Sequence, residues 1–174
     1  MEFPFDKILI APSDIDSQKL PVWQDIDQET YVLGAFNPGF CRLPNGNTLM
    51  MVRVAEALCE PRRGDRLQIL RYDAGINSFT VDTYAADHFD FSDPRKHKFK
   101  NAEDVYALTS LSWLLPVELD EDGKNVVKIH YDKMILPQND SQEYGVEDAR
   151  ITMIDGKYYM TACSVSSARH STVL

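Results

Sequence analysis

The chain has 174 residues, 44% hydrophobic and 26% charged, with a formal net charge of −9. That length holds one domain with one sizeable core. The acidity excludes a general nucleic-acid binder and a protein that docks on anionic lipid, since both need basic patches.

No apolar run reaches membrane-spanning length, and residues 1–7 lack the basic start and apolar stretch of a signal peptide. Cys41, Cys59 and Cys163 are odd in number and form no CxxC pair, so neither a disulfide framework nor a cysteine-based zinc site is expected. The expectation is reduced, mostly buried thiols in a cytoplasmic protein. His88, His97, His130 and His170 show no ligand spacing, and neither a metal nor another cofactor is expected.

In chain order, residues 1–34 read as an N-terminal segment, with Leu20-Pro21-Val22-Trp23 lying against the body. Residues 35–174 read as one β domain of consecutive hairpins. Strands at 36–43 and 48–56 flank Pro44-Asn45-Gly46-Asn47, where Asn-Gly supplies the positive φ angles of a tight turn. Strands at 67–72 and 78–83 flank a turn centred on Gly75. The stretch 85–101, with its acidic and basic runs, reads as a long surface loop, and 101–106 has room for one helical turn. Strands at 108–119 and 125–130 flank Asp120-Glu121-Asp122-Gly123-Lys124. Strands at 150–154 and 157–165 flank Asp155-Gly156. Serial hairpins without helices predict an all-β sandwich, barrel or propeller. Residues 171–174 read as the start of a further strand, so the chain reads as a fragment with an apolar flank exposed, inclined to self-associate as a homo-oligomer.

Three places can carry chemistry. In Gly145-Val146-Glu147-Asp148-Ala149-Arg150, strand alternation puts Val146, Asp148 and Arg150 on one face and turns Glu147 away. Asp148 is then either a cavity acid able to protonate a leaving oxygen or the ion-pair partner of Arg150. Arg53 shares a face with Leu49 and Met51 in an apolar strand, so it needs a carboxylate partner or an oxyanion ligand. Asn37, in Phe36-Asn37-Pro38-Gly39, either caps a bend or hydrogen-bonds a sugar hydroxyl.

Taken together, three blocks resemble glycoside hydrolase family 130, the β-mannoside phosphorylases and related hydrolases. They are Phe36-Asn37-Pro38-Gly39 with Leu43-Pro44-Asn45-Gly46, then Met51-Val52-Arg53-Val54, then Gly145 to Arg150 with Asp155-Gly156-Lys157-Tyr158-Tyr159. The resemblance implies part of a five-bladed β-propeller that cleaves β-mannosidic linkages with inversion. It makes Asp148 the catalytic acid and Asn37, Arg53, Arg150 and Arg169 ligands of sugar or phosphate. An oligosaccharide is the implied substrate and inorganic phosphate a co-substrate. Two positions depart from the family pattern. Ala149 stands where Pro is usual, and Ser112-Trp113-Leu114-Leu115 stands where many phosphorylases read Ser-His-Leu-Arg. Leu115 would then replace a basic phosphate ligand, which gives weight to hydrolysis over phosphorolysis, although the residues at hand do not decide between them. The rival reading is a non-catalytic sugar-binding or structural propeller fragment.

Overall fold

A computed structural model describes residues 6–102, 105–167 and 170–173. Among these there are thirteen strands, joined by turns and short 3-10 segments, and no α-helix. The strands are β1 (Thr30–Arg42), β2 (Thr48–Leu58), β3 (Arg62–Arg63), β4 (Arg66–Asp73), β5 (Ser78–Ala85), β6 (Phe89–Asp90) and β7 (Lys96–Phe99). They continue with β8 (Tyr106–Leu108), β9 (Leu111–Leu119), β10 (Val126–Ile129), β11 (Gly145–Ile154), β12 (Lys157–Val165) and β13 (His170–Val173). The all-β architecture of serial antiparallel hairpins, as part of a propeller, holds.

Each hairpin forms where the turn residues permit it. Between β1 and β2, Gly46 takes φ 89° and the Leu43 N–H donates to the Asn47 carbonyl at 2.8 Å. A side chain at Gly46 would strain that left-handed turn. The main sheet runs β1-β2-β9-β11-β12-β13, with β10 beside β9. Its neighbours are antiparallel except where β9 and β11 meet in parallel at Ser112 and Gly145. The sheet curls until β1 lies against β11, and the Tyr158 hydroxyl on β12 reaches the Arg42 carbonyl at 2.6 Å.

Alternation gives β2 and β9 two distinct faces. Val52, Val54, Trp113, Leu115 and Val117 point into the main core, where each is at most 1% exposed. Met51 and Leu114 point the other way, toward Val146 and Ala149 of β11. The N-terminal residues do more than lie against the body, because Leu20 and Val22 are fully buried members of the main core. Trp23 stays half exposed.

Three local expectations are corrected. The stretch 85–101 is not a loop: it carries β6 and β7, which join β8 in a small sheet. Its strands are short and its apolar signal is aromatic. Phe89 and Phe99 lie 4.3 Å apart and Tyr84 packs edge-on against both. The described residues of 101–106 hold no helix, and Tyr106 opens β8 instead. The cysteines are not mostly buried. Cys59 is exposed, Cys41 and Cys163 are half-buried, and all three are free.

Candidate functional site

Two β-bulges face each other where the sheet curls. On β1, Phe36 pairs with Arg53 and Gly39 with Met51, so Asn37 and Pro38 together oppose one residue of β2. On β11, Glu147 pairs with Cys163 and Arg150 with Thr161, so Asp148 and Ala149 together oppose one residue of β12. A bulge bends its strand and re-aims its side chains. Asn37 and Asp148 sit in the left-handed region, at φ 47° and 51°. Asn and Asp tolerate that region better than other side chains do, and such residues cluster at functional sites.

The bulges are close because two glycines let the backbones approach. A Cβ on Gly39 would stand 2.5 Å from the Ala149 carbonyl oxygen, and one on Gly145 would stand 1.9 Å from that of Ser112. Gly145 also has φ 111°, which L side chains rarely adopt.

Asn37 Nδ2 donates to Asp148 Oδ1 at 3.0 Å. Arg53 Nη1 donates to the same oxygen at 3.2 Å. Arg53 Nη2 donates to Glu147 Oε1 at 2.6 Å, and its Nε donates to Ser112 Oγ at 3.1 Å. The Ser112 hydroxyl in turn donates to Glu147 Oε1 at 3.0 Å. The Phe36 ring lies 4.7 Å from the guanidinium and covers one of its faces. One cation thus spans two carboxylates of unequal exposure. The Glu147 side chain is 11% exposed and that of Asp148 is 40% exposed. Only Asp148 presents substantial carboxylate surface to solvent.

Asn37, Arg53 and Asp148 therefore come together. Arg150 does not join them: it is exposed, and its Nη1 donates to the Ala149 carbonyl at 2.7 Å. Arg169 lies outside the described residues. Strand alternation misplaced two side chains. Glu147 does not turn away from Asp148, and the ion-pair partner of Asp148 is Arg53 rather than Arg150. The bulge between Glu147 and Arg150 resets the period of two, and no residue type in the block announces it. Glu147, Ser112 and Phe36 are site residues that sequence reasoning missed. The need of Arg53 for a partner was the signal that could have found the first two.

Cys163, across from Glu147, has its thiol pushed up by burial, with the Glu147 and Asp148 charges adding to the effect. The Leu115 departure also reads differently in the fold. Leu115 is fully buried on the core face, while Ser112 and Leu114 occupy the face of Arg53. Among the described residues no group of three or more His, Cys, Asp and Glu can hold a metal.

The fold is that of part of a propeller, and comparison with known proteins agrees with the resemblance to glycoside hydrolase family 130. The chain is similar to the β-1,2-mannobiose phosphorylase of Listeria innocua serovar 6a. The two are 31% identical over 163 residues, covering 91% of this chain and 42% of the relative. It is also similar to a solved structure, the Listeria innocua β-1,2-mannobiose phosphorylase in complex with β-1,2-mannobiose. The TM-score there is 0.77 at 28% identity, covering 94% of this chain and 44% of that one. The chain thus spans less than half the length of these relatives. No protein-family model matches the chain.

Proposed function

We propose that this chain carries the acid-bearing half of a site that cleaves a β-mannosidic linkage by phosphorolysis, with β-1,2-mannobiose as the substrate class. The observation behind this reading is the geometry of Asp148. One of its oxygens is fixed by Asn37 and Arg53. Among the described residues no hydrogen bond is seen to its other oxygen, Oδ2, and the side chain is 40% exposed. A carboxyl held on one side and open on the other is positioned to give a proton to a leaving glycosidic oxygen, directly or through a sugar hydroxyl.

Inversion requires the attacking group on the opposite face of the ring. Hydrolysis needs a carboxylate base there, and Glu147 is a poor one because it is engaged by Arg53 and Ser112. Phosphorolysis needs cations. Arg150 is exposed and forms no ion pair among the described residues, and together with Arg169 it would bind phosphate as the co-substrate. Leu115, buried on the core face, takes nothing from the cleft. The name of the Listeria phosphorylase, matched by sequence and by structure, supports the same choice. Three free thiols fit a cytoplasmic setting, and among the described residues no helix is long and apolar enough to cross a membrane.

The test is incubation of the full chain with β-1,2-mannobiose, with and without inorganic phosphate. The reading expects mannose 1-phosphate in the α configuration, formed only when phosphate is present. Mannose formed at the same rate without phosphate would replace phosphorolysis by hydrolysis. Sugar binding without turnover in a protein that spans the relatives' full length would favour the non-catalytic alternative.

A further inference from the structure

Glu147 is buried, charged and next to the proposed acid, yet the proposed chemistry gives it no part. Its Oε1 accepts from both Arg53 Nη2 and Ser112 Oγ, and Ser112 Oγ also accepts from Arg53 Nε. Together they grip the Nε–Nη2 edge of the guanidinium. Phe36 covers one of its faces. The free motion left to Arg53 is small, and only Nη1 is left to meet Asp148. Asn37 supplies the second hydrogen bond to the same oxygen. A guanidinium otherwise tends to take a carboxylate with both of its parallel N–H groups, occupying both oxygens.

We propose that Glu147 is a positioning residue that holds Arg53 away from two-point contact with Asp148, so that Asp148 Oδ2 stays open to the substrate. The inference rests on the proposed role of Asp148 as the acid. Without the Glu147 carboxylate, Nη2 loses its anionic partner. Among the described residues the nearest other carboxylate is that of Asp148, one residue along β11. Arg53 then turns onto Oδ2 and closes the position from which a proton would leave. Burial explains why the two carboxylates are not interchangeable: Glu147 is enclosed against Arg53, while Asp148, held at one oxygen by the same guanidinium, keeps its side chain 40% exposed.

The test is Glu147→Gln in the full chain, which keeps the shape and an acceptor for Ser112 but removes the charge. Ser112→Ala is the second variant, loosening the same edge from the Nε side. The readouts are the 15N–1H NMR signals of the Arg53 guanidinium, kcat and KM on β-1,2-mannobiose with phosphate, and the melting temperature. The Arg53 Nη signals should move in Glu147→Gln. In the same protein kcat should fall roughly ten- to a hundred-fold with KM changed much less, the range seen when an outer partner of a reacting group is lost. Ser112→Ala should move both readouts in the same direction, less far, and decides the matter if Glu147→Gln does not fold. Wild-type Arg53 signals and wild-type kcat in a folded Glu147→Gln protein would overturn the proposal. So would a lowered melting temperature with kcat per folded molecule unchanged. Where this chain, which spans less than half the length of its relatives, turns over no β-mannoside by itself, the Arg53 signals of Glu147→Gln decide the proposal, and wild-type signals there overturn it.

Discussion

At the scale of single residues, the site depends on backbone conformations that most side chains avoid. Asn37 and Asp148 adopt φ 47° and 51°, and each is tied to the other by a 3.0 Å hydrogen bond. Gly145 makes that arrangement reachable, since its backbone touches Ser112 on β9. Replacing it with alanine combines a left-handed strain with a backbone clash. We expect Gly145→Ala to lower stability by roughly 2–4 kcal/mol, read as a shift in the urea midpoint. An unchanged midpoint would mean that β9 and β11 part without penalty. The letters of this block made its chemistry legible but not its geometry. Glu147, Asp148 and Arg150, with Arg53 on β2, announced a charged site, and Asn37-Pro38-Gly39 announced a bend in β1. The matching bulge in β11 has no such mark, so period-two counting sent Glu147 to the wrong face.

At the scale of elements, the N-terminal segment is fastened to the main sheet by one buried carboxylate. Glu56 on β2 is completely buried. It accepts from Thr30 Oγ1 at 2.6 Å and from Trp113 Nε1 at 3.0 Å, and the backbone N–H groups of Val22 and Trp23 favour its charged form. Every partner is a donor, so a glutamine amide in its place would face a donor with its own N–H. Glu56→Gln should therefore destabilise the protein by about 1–3 kcal/mol. The pH dependence adds a second signature. Burial pushes the Glu56 carboxyl up, and the hydrogen bonds pull it back only in part. The folded state holds this proton more tightly than the unfolded chain, whose glutamates titrate near about 4.3. The stability contributed by that proton is complete below the unfolded value and is lost as pH rises through the folded one. The gap in melting temperature between wild type and Glu56→Gln should thus be widest in acid and narrow as pH rises through that window. A gap that widened instead would contradict the assignment. From the sequence, residues 20–23 read only as lying against the body. That they enter the core follows from the donors around Glu56, which meet only after the sheet has folded.

At the scale of the molecule, the curl of the main sheet brings β1, the first hairpin strand, against β11, about a hundred residues later, and the site forms at that closure. β1 also ends the strand order of the sheet and exposes Tyr31, Leu33 and Phe40. A cleft of about 260 Å³ lined by Ile8, Ile10, Phe36, Pro38, Phe40 and Met50 adjoins it. Exposed apolar surface along a sheet edge favours association. We expect sedimentation to show concentration-dependent oligomers, reduced by Leu33→Lys; a monomer at all concentrations would contradict this. The hairpins were legible because their turns carry Gly46, Gly123 and Gly156 at positive φ. The order of strands was not, because β2 pairs with β9 across more than fifty intervening residues. The central claim is that Asp148 acts as the acid in cleaving a β-mannoside, and it is tested most directly by measuring kcat and melting temperature together for wild type and Asp148→Asn. Asparagine keeps an acceptor for Asn37 and Arg53 but has no acidic proton to give. The account predicts a folded variant whose kcat falls on the order of a hundred- to ten-thousand-fold, with sugar binding retained. Near-normal kcat in a folded Asp148→Asn protein, on a β-mannoside that the wild type cleaves, would contradict it.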